Sequence, residues 1–311
     1  MGVVGDFVGD EYVYGCTERI SREAPVPIVR FERRELKLGG AGNVAANLAA
    51  LGVRVEAVGA LGRDEAGRQI RGLCRRAGIG AAGLELEAGL VSPVKTRILA
   101  GALHTTRQQL LRLDRGEPLA VAPQRNRIVE RVEALLPRLD ALVVSDYGGG
   151  IAGPELARRA GAWARRLPVC VDSRFSLGRF AGVSVAKPNV PELAALAGAP
   201  LRGEADLVRA GRALLKEKRY GALLVTRGRD GLALLRRGAP PSFWPVFGPD
   251  EAVDVTGAGD TVMAAFAAVL AATGEIELAA ELANVAGGLV VQKPGTATVT
   301  AAELEAALPR I

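Results

Sequence analysis

Short apolar runs alternate with amphipathic segments along most of the 311-residue chain. Apolar runs typical of buried strands lie at 2–6, 53–59, 141–145, 169–172, 183–186 and 222–226. Segments typical of helices lie at 43–51, 65–77, 154–166, 205–217, 260–273 and 278–292. Strands that alternate with helices of about 10 to 15 residues indicate βαβ units. The sequence therefore predicts an α/β fold, with a doubly wound, mostly parallel sheet flanked by helices.

Two segments, at about 11–38 and 92–116, interrupt this alternation. Pro25 and Pro27 oppose helix formation in the first segment, and polar and apolar residues alternate in the second. Both patterns indicate extended, partly exposed strands. We expect the two segments to form a small sheet outside the main one. Because the first strand begins almost at residue 1 and no linker is evident, we expect residues 1–311 to form a single domain.

The composition narrows the class of protein. Hydrophobic residues make up 49% and aromatic residues 4%, so small and branched aliphatic side chains are expected to build the core. The net charge is +6, but the basic residues form no patch interleaved with aromatic residues. This argues against a nucleic-acid partner. The three cysteines have no CxxC or zinc-type spacing, and no apolar window is long enough for a signal or membrane segment. These features favour a soluble cytoplasmic protein.

The segment with the clearest chemistry is DVTGAGDT at 254–261, which leads directly into an apolar helix. Gly257 and Gly259 allow a tight turn whose backbone N–H groups converge, and the positive end of the helix dipole adds to them. Gly257, Ala258 and Gly259 are therefore predicted to form an anion hole. Asp260, in the first helical turn, can accept a proton from a hydroxyl that attacks a phosphate. A second interpretation stays open, because Asp is also a common capping residue.

The same segment resembles the signature of the ribokinase-like (PfkB) sugar kinases, and other landmarks of that family follow in the family's order. They are Asp10; Gly39-Gly40-Ala41-Gly42-Asn43; Lys187-Pro188-Asn189 with Glu192; Thr226-Arg227-Gly228 with Gly231; and 284–287. The resemblance covers essentially the whole chain. It implies a ribokinase-like fold and transfer of the γ-phosphoryl group of ATP to a sugar hydroxyl, with Asp260 as the catalytic base.

The resemblance also implies roles for individual residues. Asp10, Gly39, Gly40 and Asn43 would bind the sugar, and Lys187, Asn189, Thr226, Gly228, Gly231 and Asn284 would bind the nucleotide. Glu192 would act indirectly on Mg²⁺, and Asp254, Thr256 and Gly295 would be ligands of a monovalent cation such as K⁺. The set is physically coherent, because carboxylate and amide groups bind vicinal hydroxyls while a metal and backbone amides offset phosphate charge.

Further segments resemble the D-glycero-β-D-manno-heptose 7-phosphate kinases. They are GDFVGDEY at 5–12, RISREAPVP at 19–27 and QQLLRLD at 108–114. This resemblance implies phosphorylation of the anomeric O1, on the way to nucleotide-activated heptose for lipopolysaccharide. It also implies that the small sheet is a lid over the sugar and the contact surface of a homodimer. Lys95, Arg97 or Arg112 would meet the phosphate already on the substrate, because cationic side chains, and Arg forks above all, match phosphate oxygens.

Two departures from the heptose kinases leave the substrate open. Residues 101–106 replace a short turn, and Asp172-Ser173-Arg174 stands where Asp-Pro-Lys is usual. A kinase for another sugar or for a nucleoside on the same fold is therefore an alternative. No HxGH nucleotidyltransferase segment is present, so a second enzymatic domain is not expected.

Two further alternatives come from other classes of protein. Gly40-x-Gly42 opens a helix, as in dinucleotide-binding proteins, but Glu56 lies within a strand and not at the strand end that ribose recognition requires. A non-catalytic nucleotide-binding protein of the same fold is the other alternative. The presence of Asp260, Asn189 and Glu192 argues against loss of the chemistry.

Overall fold

The computed structural model describes residues 1–101, 107–116, 122–249 and 251–308, so most of the altered turn at 101–106 lies outside the described residues. The strands are β1 Gly2–Gly5, β2 Phe7–Ile20, β3 Pro27–Gly40, β4 Glu56–Gly62, β5 Gly80–Glu87, β6 Val94–Gly101, β7 Gln108–Arg115, β8 Leu142–Asp146, β9 Val169–Ser173, β10 Val185–Ala186, β11 Ala222–Thr226, β12 Leu232–Arg236 and β13 Ser242–Trp244. The α-helices are α1 Ala41–Ala50, α2 Glu65–Arg76, α3 Ala122–Leu135, α4 Pro154–Trp163, α5 Val190–Ala197, α6 Glu204–Lys218, α7 Ala258–Thr273, α8 Ile276–Val290 and α9 Ala301–Ala307. None of the helices in these ranges has the length and apolar character needed to span a bilayer.

The main sheet has nine strands within the described residues, in the order β13-β12-β11-β10-β9-β8-β1-β4-β5. Neighbouring strands from β5 through β11 pair in parallel, whereas β11, β12 and β13 pair antiparallel at one edge. This confirms the predicted mostly parallel sheet. The antiparallel hairpin at the edge is an addition that the sequence pattern did not predict.

Helices cover both faces of the main sheet. Successive residues of a strand point to opposite faces, so Val3 packs in the core shared with α1, α2, α7 and α8, whereas Val4 packs in the core shared with α3, α4 and α6. Both cores are built mainly from Ala, Val, Leu and Ile. A parallel sheet buried on both faces is the arrangement that apolar strands separated by helices predict.

The second sheet, called the small sheet below, has the strand order β3-β2-β6-β7. It is formed by the two segments that interrupt the βα alternation, and a single residue, Asp6, separates β1 from β2. The small sheet therefore rises directly from the carboxyl edge of the main sheet, where open α/β sheets bind ligands.

Some element boundaries differ from the predictions. The strand predicted at 53–59 is β4, which starts later, because the Val53 N–H still bonds to the carbonyl of Leu48 at the end of α1. Helix α1 starts two residues earlier than predicted, because Gly40, with a φ of 56°, turns the chain into it. Helix α7 likewise starts at Ala258, since Gly257 in the left-handed region precedes it.

Candidate active site

The DVTGAGDT segment forms the turn that leads into α7. Gly257 has a φ of 80°, and a Cβ on it would lie 2.4 Å from Nδ2 of Asn43, so glycine is required for both conformation and space. Ala258 and Gly259 begin the helix, and Asp260 lies buried in its first turn. The predicted anion hole and the predicted base thus share one helix N-terminus.

Two side chains hold the Asp260 carboxylate, one on each oxygen. Asn43 Nδ2 in α1 donates to Oδ2 at 2.9 Å, and the Tyr147 hydroxyl, just after β8, donates to Oδ1 at 2.6 Å. The amide oxygen of Asn43 in turn accepts from Asn47 Nδ2 at 3.2 Å. Both ends of the Asn43 amide are therefore engaged within the protein, and this residue directly orients Asp260.

Burial raises the pKa of Asp260 to about 7. The hydrogen bonds from Tyr147 and Asn43 lower this pKa, the charge of Asp172 raises it, and the charge of Lys187 lowers it. A carboxylate whose pKa lies near neutrality can both accept and release a proton at physiological pH. Helix capping alone does not account for this arrangement, because the Asp260 side chain accepts from side chains of two other elements.

A buried ion pair lies beside the anion hole. Lys187 Nζ is 2.8 Å from Asp172 Oδ2, and the two side chains are 5% and 14% exposed. Burial acts to lower the pKa of Lys187, but the neighbouring Asp172 outweighs it and the pKa is raised, so the lysine stays charged. A Cβ on Gly259 would lie 3.3 Å from Nζ. The ammonium group therefore adds a full positive charge next to the backbone N–H groups of the turn.

A cavity of about 520 Å³ opens in front of this turn. Its walls include five of the predicted nucleotide-binding residues together with part of the predicted anion hole, namely Asn189, Thr226, Gly228, Gly231, Asn284, Ala258 and Gly259. Apolar side chains such as Val246, Val255 and Val262 line the remainder. A concave, mostly apolar site with a few polar groups is typical of a small-molecule pocket. The sixth predicted residue, Lys187, lies behind Gly259.

Asn189 and Glu192 form a reciprocal capping box at the start of α5. Asn189 Oδ1 accepts the Glu192 N–H at 2.8 Å, and Glu192 Oε2 accepts the Asn189 N–H at 2.9 Å. Burial raises the pKa of Glu192, and Asp172 adds to this effect. Hard carboxylate oxygens near a phosphate site suit Mg²⁺, which keeps several waters and needs only one or two carboxylates. Within the described ranges, no three His, Cys, Asp or Glu side chains are grouped as a metal cage.

The three residues predicted to bind a monovalent cation lie together. Asp254 Oδ1 accepts the Thr256 N–H and Oδ2 accepts the Gly295 N–H, each at 2.8 Å. Burial opposes ionisation of Asp254, but these hydrogen bonds outweigh it and lower its pKa. The loop before the anion hole is thus fixed to the segment after α8. Cation binding at this loop stays a prediction.

The predicted sugar-binding residues meet where the small sheet leaves the main sheet. Asp10 in β2 is buried and accepts from Arg97 Nη1 in β6 at 2.6 Å. A Cβ on Gly39 would lie 2.2 Å from Asp10 Oδ2, and one on Gly40 would lie 2.5 Å from the carbonyl oxygen of Asp6. The glycine pair is therefore required by the close approach of the Asp10 carboxylate and the Asp6 carbonyl.

Strand register places the candidate phosphate-binding cations on one face of the small sheet. Lys95 is opposite both Asp10 and Asp114, and Arg97 is opposite Arg112. Burial lowers the pKa of Lys95, and Asp10 opposes that shift. Arg112 is exposed and donates to Asp114 Oδ1 at 2.7 Å. The structure therefore joins Arg97 and Lys95 to the buried site and leaves Arg112 at its outer edge.

Four residues that complete the site were not among the predicted site residues. They are Asp6, Asp146, Tyr147 and Asp172, and each lies at the carboxyl end of a strand or directly after one. Asp146 and Asp172 carry a sequence signal, because each is a polar residue after an apolar run, the position where open parallel sheets place ligand groups. Tyr147 carried no such signal, because its partner Asp260 is 113 residues away along the chain.

The sequence matches one protein family and several curated proteins. The family described as pfkB family carbohydrate kinase matches residues 3–111 and 171–303. The bifunctional protein HldE of Pseudomonas paraeruginosa is 43% identical over 311 residues, which cover 99% of this chain and 63% of that protein. The protein of the same name from Hahella chejuensis is 42% identical over 98% of this chain and 62% of its own length. The chain thus spans a little over three fifths of these relatives.

Solved structures share the fold at low sequence identity. Ribokinase of Arabidopsis thaliana, complexed with ribose and ATP, superposes with a TM-score of 0.76 at 20% identity, covering 99% of this chain and 97% of that one. Phosphofructokinase-2 of Escherichia coli, in complex with potassium, superposes with a TM-score of 0.78 at 16% identity, with the same coverage of 99% and 97%. The likeness to both structures therefore covers nearly the whole chain.

Proposed function

Because the chain belongs to the pfkB family of carbohydrate kinases, we propose that it transfers the γ-phosphoryl group of ATP to O1 of D-glycero-β-D-manno-heptose 7-phosphate. The observation that carries this proposal is the position of Asp260. The turn that precedes it lines the nucleotide cavity, while its carboxylate faces Asn43 and Tyr147 on the side of the predicted sugar site. A base between two binding sites is what direct transfer between two substrates requires.

In the proposed reaction, Asp260 accepts the proton of the O1 hydroxyl as that oxygen attacks the γ-phosphorus. The new O1–P bond forms while the bond from the γ-phosphorus to the β-γ bridging oxygen breaks, and ADP leaves with that oxygen. The backbone N–H groups of Gly257 and Gly259, with the helix dipole, stabilise the negative charge on the transferring group. The N–H of Ala258, the third residue of the predicted anion hole, instead donates to the Val255 carbonyl at 3.2 Å. Lys187 adds a compensating cation beside them.

Mg²⁺ would neutralise charge on the ATP phosphates and help to orient them. Glu192 is the residue that we propose holds the ion, through water, because its carboxylate is close to Lys187 and Asp172 and forms no salt bridge within the described part of the chain. For a monovalent cation such as K⁺ we propose Asp254, Thr256 and Gly295. A cation at that loop would stiffen the segment that leads into the anion hole.

The choice of a phosphorylated heptose rests on segments 5–12, 19–27 and 108–114 and on the cations of the small sheet. Asp10, with Gly39 and Gly40, would receive sugar hydroxyls. Lys95 and Arg97 would receive the existing phosphate, with Arg112 at the outer edge. We propose that the small sheet acts as a lid that excludes water, because water would otherwise compete as the phosphoryl acceptor.

We also propose a homodimer through the small sheet. Leu111 and Leu113 in β7 and Phe31 in β3 are 56%, 60% and 61% exposed, and a second copy would cover them. The product would be a precursor of nucleotide-activated heptose, made in the cytoplasm by residues 1–311 acting as one kinase domain. Light scattering of wild type and of Leu111→Glu/Leu113→Glu tests the dimer. A dimer that persists unchanged in the double variant would exclude this surface.

A kinase for another sugar or a nucleoside remains the main alternative, favoured by the Asp172-Ser173-Arg174 departure. A dinucleotide-binding protein is disfavoured, since Glu56 begins β4 and so lies at the edge of the main sheet opposite the ligand side. A non-catalytic protein is disfavoured because Asn43 and Tyr147 hold the Asp260 carboxylate in a fixed orientation.

A substrate panel tests the proposed function. ADP formation with Mg–ATP is measured for heptose 7-phosphate, unphosphorylated heptose, fructose 6-phosphate, ribose and adenosine, and phosphorus NMR locates the new phosphate. We expect the highest kcat/KM with heptose 7-phosphate and an anomeric phosphate in the product. Preference for an unphosphorylated sugar would contradict the proposed substrate. Absence of ADP formation with every acceptor would contradict the proposed kinase activity.

A further inference from the structure

Tyr147 lies in a bend, directly after β8, that a buried carboxylate fixes in place. Asp6, which follows β1, accepts N–H groups from Tyr147 and Gly149 at 2.8 and 2.9 Å and from Ile151 at 3.3 Å. A Cβ on Gly149 would lie 2.5 Å from Asp6 Oδ1, so the bend is too tight for a larger residue there. The backbone that carries Tyr147 is therefore rigidly attached to the main sheet.

The tyrosine ring reaches from this bend toward the base. A Cβ on Gly40 would lie 3.4 Å from the ring, and the Lys95 ammonium group lies 5.0 Å from the ring centre on the side of the small sheet. The hydroxyl group at the end of the ring donates to Asp260 Oδ1 at 2.6 Å. Tyr147 thus lies beside the sugar-side glycine and a cation of the small sheet, and its hydroxyl group binds the base.

The charged and titratable groups around this hydrogen bond determine which side chain is the donor. Asp260 faces Tyr147, Asn43, Asp172 and Lys187, and Tyr147 also faces Asp10 and Lys95. Burial, and next the charge of Asp260, raises the pKa of Tyr147 well above its usual value. The phenol therefore keeps its proton throughout the working pH range and is always the donor to the carboxylate.

We propose that Tyr147 is a positioning residue that, together with Asn43, holds the Asp260 carboxylate ionised and in one orientation for proton transfer. One donor on each oxygen fixes the plane of the carboxylate and leaves the remaining lone pairs of both oxygens for the substrate hydroxyl. Both donors also favour the charged form of a group whose burial disfavours charge. The inference rests on the proposed function, since it assigns Tyr147 a part in that reaction.

The variant Tyr147→Phe keeps the ring and removes the hydroxyl. Loss of one hydrogen bond to a charged group is expected to raise the pKa of Asp260 by about one to two units. The loss in kcat/KM should then be about five- to fifty-fold at pH 7 and shrink to about twofold or less at pH 9. A purely structural role would reduce activity by a similar factor at both pH values.

Tyr220→Phe is the matched control. The Tyr220 side chain is fully buried and its hydroxyl donates to the Leu177 carbonyl at 2.8 Å, on the far side of the main sheet from Asp260. Its loss removes one buried hydrogen bond without touching the base. The pH profile of this variant should coincide with that of the wild type.

A second readout does not depend on turnover. Protein labelled with carbon-13 at the aspartate carboxyl groups is titrated by NMR, and the Asp260 signal is assigned by its absence in Asp260→Asn. We expect the midpoint to rise in Tyr147→Phe and to stay fixed in Tyr220→Phe. An active wild type with an unshifted profile and midpoint in Tyr147→Phe overturns the role of Tyr147 alone, whereas a wild type that phosphorylates no sugar overturns the proposed function.

Discussion

The buried pair of Lys187 and Asp172 permits a quantitative test of how the phosphate site is assembled. Asp172→Asn removes one charge with little change in shape and leaves the lysine without its partner at a place where both side chains are under 15% exposed. Removing one member of such a pair costs about 3–5 kcal/mol, because the remaining charge is buried and uncompensated. We therefore expect Asp172→Asn to unfold about 5–8 °C below the wild type in calorimetry.

The double variant Asp172→Asn/Lys187→Met separates charge from packing. It removes both charges, and a buried pair can be replaced by uncharged residues of similar volume at little cost. Stability should therefore return to within about 2 kcal/mol of the wild type, while the KM for ATP rises because the cation beside the anion hole is lost. A single variant that loses less than about 1 kcal/mol, or a double variant no more stable than the single, would refute this reasoning.

The remaining predictions concern the base, the sugar site and the nucleotide cavity. If Asp260 is the base and acts in its ionised form, its pKa of about 7 means that kcat/KM should fall about tenfold per unit as the pH decreases below 7. A flat profile from pH 5 to 8 would contradict the assignment. Arg97→Gln should raise the KM for the sugar phosphate about tenfold or more. Arg112→Gln should raise this KM less, because of the two arginines only Arg97 is buried against the site. Equal effects of the two variants would contradict that distinction. Gly288→Ala should destabilise the protein by about 1–3 kcal/mol and raise the KM for ATP, as measured by denaturation and initial rates, since its Cβ would lie 1.9 Å from the Phe247 carbonyl oxygen. Unchanged values for both quantities would contradict the observed packing.

Structural features that depend on neighbouring residues in the sequence were predictable from the sequence. The βα alternation predicts the main sheet because each apolar run has to be buried on both faces. The turn before α7 was predictable because two glycines disfavour a helix, so Gly257 and Gly259 at the start of an apolar helix indicate a tight turn. The two prolines near residue 26 and the alternating pattern at 92–116 likewise predict the extended strands of the small sheet.

Contacts between distant segments were not predictable in the same way. Asn43 and Asp260 are 217 residues apart, and the resemblance to sugar kinases indicated a sugar-binding role for Asn43 but not its hydrogen bond to the base. The first four residues of strand β5 are all small, so its strand propensity is low, and it is stabilised by pairing with β4 and by packing of Ala81 and Leu84 in the core. Such features depend on tertiary neighbours that no window of sequence contains.

The Asp260→Asn variant is expected to fold. The Tyr147 hydroxyl can rotate to accept from the new amide group, while Asn43 continues to donate to its oxygen. The pKa of Asp260 is about 7 in the fold and about 3.9 in the unfolded chain, so the folded state binds more protons between these values and loses stability as the pH rises through them. At pH 8 the asparagine variant avoids a loss of about 4 kcal/mol in the free energy of unfolding, so it should be at least as stable as the wild type at that pH.

The most direct test of the central claim is therefore the single-turnover rate of γ-phosphoryl transfer by Asp260→Asn at pH 8, with saturating Mg–ATP and heptose 7-phosphate. If Asp260 is the base, the variant should bind ATP as the wild type does and transfer phosphate about 10²–10⁴ times more slowly. Transfer within tenfold of the wild-type rate by the folded variant would contradict the account.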